Sequence, residues 1–273
     1  MSIALKGTLV LVGCGKMGGA MLEGWLKGGA DPKKIVAFDP KPPAEVAEVL
    51  KKYAIHQNPA INSVIDAEIV VMATKPQVME DVLPPLVPLK ASKPVILSIA
   101  AGKTIASFAK HFGSDAAIIR AMPNTPAAIG RGITALFPNA HVTKSQLALA
   151  HELLCTTGEV VDVTDENQID LVTAVSGSGP AYVFWLTECL ANAGVKAGLS
   201  PELATQLARA TVSGSGELMR QSGIDASTLR QNVTSPAGTT FAALQILMAD
   251  DGMKPLFEKA VAAAANRARE LAS

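Results

Sequence analysis

The sequence lacks an excess of either charge, since its 273 residues contain 24 lysines and arginines and 24 aspartates and glutamates. A chain without a basic field has no electrostatic means of attracting nucleic acid. No apolar run approaches the ~20 residues of a membrane span, and residues 1–6 lack the features of a signal peptide. We therefore expect a cytoplasmic protein that binds neither nucleic acid nor membrane.

Patterns typical of metal sites and hydrolases are also missing. The three cysteines, Cys14, Cys155 and Cys189, lie far apart without a Cys-x-x-Cys pair, which argues against a disulfide framework or a structural zinc site. The four histidines are scattered, and none lies near a ligand cluster or a nucleophile motif. We expect no metal and a reducing compartment.

The chain is long and apolar enough, with 49% hydrophobic residues, to form two domains. Short apolar runs of the strand type recur up to residue 163, and from residue 165 onward the apolar spacing becomes helical. The predicted fold class is therefore α/β followed by all-α. Residues 1–164 are expected to form a Rossmann-type dinucleotide-binding domain, and residues 165–273 an all-helical domain.

The first strand, predicted at Thr8–Val12, leads into a glycine-rich loop and a helix from Met17 to Lys27. In dinucleotide-binding loops the first glycine permits a tight turn, the second lets the backbone approach a pyrophosphate, and the third lets the helix pack against the strand. The cysteine in the loop is expected to pack rather than to react. The predicted cofactor contacts are Gly13, Cys14, Gly15, Lys16, Met17 and Gly18.

Two further strands end where they can reach the same cofactor. Ile35–Phe38 ends at Asp39, about 20 residues after the glycines, where an acid binds a ribose hydroxyl. Such a carboxylate favours NADH and repels the 2′-phosphate of NADPH, whereas Lys41 would favour the phosphate, so NAD and NADP both stay open. The strand at residues 68–73 ends in a loop that is expected to reach the nicotinamide half, with a solvated charge as the alternative for its lysine. That loop contains Ala73, Thr74, Lys75 and Pro76.

A helix N-terminus near residue 240 has the features of an anion site. Ser235 is suited to be the N-cap and Pro236 the first helical residue, where a missing N–H group does no harm. Residues 237–240 then offer unpaired N–H groups, which together with the helix dipole favour negative charge. The residues expected to bind an anion are Ser235, Gly238, Thr239 and Thr240.

Several motifs resemble those of the pyrroline-5-carboxylate reductase family. They are the glycine loop at 13–18, Thr-Lys-Pro at 74–76, Met-Pro-Asn-Thr-Pro at 122–126, Ser-Gly-Ser-Gly-Pro-Ala-Tyr at 176–182 and the signature at 229–244. The last two are the specific ones. One departure is Ala237, where many members of the family have glycine; we expect it to be tolerated, since a right-handed helix start accepts alanine.

The resemblance implies an activity and an assembly. The family reduces 1-pyrroline-5-carboxylate, a cyclic imine with a carboxylate, to proline with NAD(P)H. Its helical domains form a homodimer, often within a ring of dimers, so the resemblance implies that residues 165–273 are the domain for dimerisation and substrate binding. By resemblance, Asn124 lies beside the nicotinamide, with an Asx turn as the alternative, and Asn232 faces the cofactor. Thr240 is expected to be the catalytic residue, which hydrogen-bonds the ring nitrogen or relays a proton from water.

Two other functions are alternatives to this one. A β-hydroxyacid dehydrogenase resembles the first half of the chain, but it carries a catalytic lysine on the helix after its Gly-x-Gly segment, and residues 180–194 contain no lysine here. A redox-sensing protein would bind the nucleotide without turning anything over. Steady oxidation of NAD(P)H by the imine distinguishes the reductase from both.

Overall fold

The computed structural model describes residues 3–272, and an eight-stranded sheet forms the centre of its first unit. The strands are β1 Thr8–Val12, β2 Ile35–Phe38, β3 His56–Gln57, β4 Ala67–Met72, β5 Val95–Ser98, β6 Ile118–Met122, β7 Gly132–Pro138 and β8 Gly158–Asp162. Their order in the sheet is β3-β2-β1-β4-β5-β6-β7-β8. Neighbours pair in parallel except β6 and β7, which are antiparallel.

Apolar side chains cover both faces of this sheet. Along β1, Leu9 and Leu11 belong to one core cluster, and Val10 and Val12 belong to the other, as the two-residue period of a strand dictates. The helices that accompany the sheet are α1 Lys16–Lys27, α2 Ala44–Lys52, α3 Met79–Leu86, α4 Ile105–Phe112, α5 Lys144–Cys155 and α6 Gln168–Val172. A sheet buried on both faces confirms the predicted Rossmann-type domain.

The structure divides the chain later than the sequence pattern indicates. The first unit extends to Gly177 and takes up the residues from Ala264 onward, and the second unit is Ser178–Ala263. Helix α6 belongs to the first unit because an ion pair of 2.7 Å ties its Asp170 to Arg120 on β6. The change to helical spacing at residue 165 therefore precedes the structural division.

The second unit is helical. Its elements are α7 Gly179–Lys196, α8 Pro201–Ser222, α9 Ala226–Asn232, α10 Thr239–Leu247 and the beginning of α11 Met253–Ala272. The apolar side chains of α7 are exposed in the single chain, with Trp185 at 63%. Among the described residues, no helix is long and apolar enough to cross a membrane.

Candidate active site

The glycine loop joins β1 to α1 through two close backbone approaches. Gly13 has a φ of +92°, and a Cβ atom there would lie 2.8 Å from the carbonyl oxygen of Ala73. A Cβ atom on Gly18 would overlap the carbonyl oxygen of Gly13. Helix α1 starts at Lys16 without a side-chain cap, so its first N–H groups are available to an anion. Around Gly15 an added Cβ would meet no atom within 4 Å, which leaves space beside these groups.

Asp39 lies at the end of β2 and braces the same loop. Its Oδ2 accepts a hydrogen bond of 2.6 Å from the backbone N–H of Cys14, and its Oδ1 accepts one of 2.8 Å from the backbone N–H of Lys41. The side chain of Asn58 fixes the Asp39 backbone by accepting from its N–H at 2.9 Å and donating to its carbonyl at 2.8 Å. The carboxylate is therefore held at the loop before any nucleotide binds.

Cys14 packs in this loop and keeps its proton. Burial, and then the charge of Asp39, raise the pKa of the thiol to about 12. The side chain is fully buried. A protonated, buried thiol is a poor nucleophile, in agreement with the packing role that the sequence predicts.

The loop after β4 lies beside the glycine loop. The backbone N–H of Ala73 donates to the carbonyl of Val12 at 2.7 Å, and the Thr74 methyl group would lie 2.9 Å from a Cβ on Gly13. Lys75 is exposed, and Pro76 begins a short 3₁₀ turn. The structure thus brings the residues of this loop, Asp39 and the glycines to one edge of the sheet.

Asn124 follows β6 and is engaged through its amide oxygen, which accepts a hydrogen bond of 3.0 Å from the backbone N–H of Ile133. This bond braces the segment against β7; it is not an Asx turn, in which the side chain would bond the backbone two residues on. The amide nitrogen donates to no acceptor within residues 3–272. That nitrogen is the group that Asn124 can offer to a ligand.

The segment at Ser235 departs from the sequence prediction. Ser235 is not the N-cap: α10 begins at Thr239, Gly238 occupies the cap position, and no side chain caps the helix. Residues 235–238 form a type II turn, with Pro236 second, Ala237 third at a φ of +56°, and the Gly238 N–H donating to the Ser235 carbonyl at 3.1 Å.

This turn corrects two expectations. The Gly238 N–H is already bonded, so the free donors at the start of α10 are those of Thr239, Thr240 and the next residue. Ala237 lies in the left-handed region and not in a right-handed helix start, so alanine is strained where glycine would not be. Asn232 is the last residue of α9 and is exposed. These residues belong to the second unit.

A buried charge cluster near the end of β6 was not predicted. Arg120 is 2% exposed and pairs with Asp170 at 2.7 Å and with Glu166 at 3.3 Å. One signal was available, because an arginine inside the apolar run Ile-Ile-Arg-Ala-Met needs a carboxylate if the run is a buried strand.

Two family models match the chain. The one described as "Pyrroline-5-carboxylate reductase dimerisation" covers residues 166–271, and the one described as "NADP oxidoreductase coenzyme F420-dependent" covers residues 8–102. A pyrroline-5-carboxylate reductase of Pseudomonas aeruginosa is 38% identical over 266 residues, which span 97% of this chain and 96% of that protein. The chain belongs to the pyrroline-5-carboxylate reductase family.

Solved structures of the pyrroline-5-carboxylate reductase family agree with this placement. The enzyme of Coxiella burnetii has a TM-score of 0.90 and 34% identity, with 98% of this chain and 100% of that chain covered. The Plasmodium falciparum pyrroline carboxylate reductase, solved with NADP bound, has a TM-score of 0.82 and 28% identity, with coverage of 98% and 99%. The resemblance inferred from the motifs is confirmed.

Proposed function

We propose that this protein reduces 1-pyrroline-5-carboxylate to L-proline with hydride from NADH or NADPH, the last step of proline biosynthesis. The observation that carries the proposal is the identity with the P. aeruginosa reductase over almost the whole of both chains. Hydride adds to the carbon of the C=N bond, and the ring nitrogen gains a proton. A second proton converts the amine to the ammonium group of proline, so each proline formed from the neutral imine consumes one NAD(P)H and two protons.

The nucleotide site of the proposal is built on the glycine loop. The uncapped N–H groups at the start of α1 bind the pyrophosphate. Asp39 binds the ribose hydroxyls, because a carboxylate has about four lone-pair sites and two are taken by Cys14 and Lys41. We assign Ala73–Pro76 and Asn124 to the nicotinamide half, and Asn232 to the cofactor. The chemistry needs no metal.

The substrate site of the proposal is the start of α10. The N–H groups of Thr239 and Thr240 and the hydroxyl of Ser235 bind the carboxylate. Gly238 belongs to the site because its missing side chain admits the Ser235 hydroxyl, which a Cβ would overlap. Gly238 thus contributes to the substrate site by allowing the turn and not by offering its N–H group.

Thr240 is the residue assigned to the reacting bond. A protonated C=N bond accepts hydride more readily than a neutral one, and a threonine hydroxyl is too weak an acid to protonate the imine alone. We therefore assign the hydroxyl to hydrogen-bonding the ring nitrogen or to relaying a proton from water. In either role it orients the imine for hydride transfer.

The assembly proposed is a homodimer through residues 165–273, with residues 1–164 holding the dinucleotide and a ring of dimers as the further assembly. Helices α7 and α8 line a groove of about 940 Å³ that includes Val183, Phe184 and Gly216, and a second copy supplies the apolar surface that fits it. The protein is placed in the cytoplasm, since its three cysteines are free thiols.

A direct spectrophotometric assay with analysis of the product tests the proposed function. Purified protein, pyrroline-5-carboxylate and NADPH or NADH should give loss of reduced-nicotinamide absorbance and an equal amount of proline by mass spectrometry. A 3-hydroxy acid with the oxidised cofactors serves as the control substrate. Good turnover of the hydroxy acid beside none of the imine would contradict the proposal, and tight nucleotide binding without turnover would favour a binding protein.

A further inference from the structure

A buried arginine lies in the middle of the sheet of the first unit. Arg120 on β6 is in register with Ser98 on β5 and Phe137 on β7, and it is 2% exposed. Removing a guanidinium from water is strongly unfavourable unless it is paired. Its Nη2 lies 2.7 Å from Oδ1 of Asp170, and its Nη1 lies 3.3 Å from Oε1 of Glu166.

The same network joins three elements of the first unit. The Glu166 oxygen that pairs with Arg120 also accepts a hydrogen bond of 2.8 Å from the backbone N–H of Ile105, the first residue of α4. Within residues 3–272, Arg120 Nε is the buried side-chain nitrogen or oxygen that has no hydrogen-bond partner. The guanidinium is therefore held by its two carboxylates and by little else that is polar.

The helix that carries Asp170 continues into an unusual turn. Residues Thr173–Gly177 are π-helical. This conformation is rare in proteins, and where it occurs it is often at a functional site. At the end of this turn, a Cβ on Gly177 would lie 2.8 Å from the Met122 Cε atom. Strand β6 thus contacts this segment twice, through the charge of Arg120 and through the packing of Met122.

We propose that Arg120, with Asp170 and Glu166, is a positioning group for hydride transfer. Arg120 and Met122 are two residues apart and project from the same face of β6. Arg120 fixes the strand against α6 through Asp170, and Met122 fixes its end against the π turn. Asn124 follows two residues later and is assigned to the nicotinamide half. The network acts through the strand and touches neither reactant; this inference rests on the proposed reductase activity.

Asp170→Asn tests the proposal, because it keeps the shape of the side chain and removes its charge. We expect kcat to fall about tenfold or more, since a misplacement of about 1 Å can lower rates ~100-fold. KM for the nucleotide should stay within about twofold, because the glycine loop lies elsewhere in the sheet. The primary isotope effect with a cofactor deuterated at the transferred position should rise, since hydride transfer becomes slower than the other steps.

Glu166→Gln should have a smaller effect than Asp170→Asn. Its pairing distance is longer, its side chain is 27% exposed against 7% for Asp170, and glutamine still accepts from the Ile105 N–H. Arg120→Lys keeps the charge and should retain more activity than Arg120→Met. If Asp170→Asn does not fold, these variants carry the test. The control is Glu23→Gln, which removes an exposed pair of 3.1 Å with Lys27 and should change nothing.

Hydrogen exchange separates the network from the chemistry. In Asp170→Asn, peptides covering residues 122–129 and 168–177 should exchange faster, and peptides covering residues 8–28 should not. A kcat that falls only in proportion to the fraction of folded enzyme, with an unchanged isotope effect, would overturn the positioning role. Failure of the wild type to reduce the imine would instead overturn the proposed function, whatever the exchange pattern.

Discussion

The two units of the chain bury their apolar residues in different ways. In the first unit, Leu9 and Leu11 on one face of the sheet and Val10 on the other are fully buried. In the second unit, α7 has no buried residue, and Phe184 and Trp185 are 61% and 63% exposed in the single chain. The first unit buries its own core, whereas the second leaves the apolar side chains of its helices exposed in the single chain.

The residues proposed to bind the nucleotide and those proposed to bind the imine carboxylate differ in the same way. The loops at Gly13 and Asp39 are fixed by hydrogen bonds and close contacts inside one rigid sheet. The turn at Ser235 belongs to the unit whose apolar surface is exposed in one chain. We therefore expect nucleotide binding to tolerate loss of the dimer better than imine reduction does.

Phe184→Glu should break the comparison most strongly. An unpaired charge at the centre of an interface is destabilising by several kcal/mol, so the variant should sediment as a monomer at micromolar concentration. Imine reduction should fall by about 100-fold or more, with nucleotide binding by fluorescence retained. Ile65→Glu, at a residue of the first unit that is 82% exposed, is the matched control and should stay dimeric. A Phe184→Glu dimer of normal affinity would contradict the proposed interface.

Gly18→Ala should lower both the stability and the nucleotide affinity of the first unit. Its Cβ would overlap the Gly13 carbonyl, so both the melting temperature and nucleotide affinity should fall, the affinity by about 100-fold. Gly15→Ala meets no atom of the protein within 4 Å and should lower nucleotide affinity without lowering the melting temperature. Calorimetry with and without NADPH measures the melting temperature and the nucleotide affinity. An equal fall in melting temperature in the two variants would refute the assignment of Gly15 to nucleotide binding.

Thr240→Ala tests the chemistry assigned to the second unit. Loss of one hydrogen bond to a charged group lowers stabilisation by about 1.5 to 3 kcal/mol, so kcat should fall about 10- to 150-fold. KM for the nucleotide should be unchanged, because Thr240 is assigned to the imine and not to the nucleotide. The control is Thr234→Ala, whose hydroxyl bonds the Arg230 carbonyl at 2.6 Å. Full kcat at every pH in Thr240→Ala would remove its hydroxyl from the mechanism.

Asp39→Asn tests cofactor choice within the first unit. Asparagine keeps an oxygen for the Cys14 N–H, so the loop stays braced while the charge is lost. If the carboxylate repels the 2′-phosphate, the ratio of kcat/KM for NADPH to that for NADH should rise about tenfold. An unchanged ratio would show that Asp39 only braces the loop and that Lys41 or its neighbours read the ribose.

The sequence predicts the first unit better than the second because its signals are local. Strands such as β1 and β4 are continuous apolar runs, and the glycine spacing implies the loop geometry. Helix α3 is not evident from the sequence, because it contains Pro84 and Pro85. Burial of Met79 and Leu83 outweighs the unfavourable helix propensity of the two prolines.

The missed features depend on information that is not local. Arg120 and Asp170 are 50 residues apart, so nothing near the arginine announces its partner. The type II turn at Ser235 requires a positive φ at its third residue, which glycine would have signalled and Ala237 does not. The proline was therefore assigned to the helix when it belongs to the turn.

Ala237→Gly should give the smallest effect, with opposite sign to the others. The left-handed conformation is unfavourable for alanine by about 1–2 kcal/mol, and glycine gives back part of this gain as entropy of the unfolded chain, about 0.4–1 kcal/mol. We expect a net stabilisation of about 0.5–1 kcal/mol, a rise of about 1–4 °C in melting temperature. Ala54→Gly, at a φ of +51° in the first unit, should give the same gain, and Gly223→Ala, at +63°, should give a similar loss. The exposed methyl of Ala237 makes no buried contact in the single chain. If Ala237→Gly destabilises while Ala54→Gly stabilises, that methyl packs against a second copy, and the turn that binds the carboxylate lies at the interface.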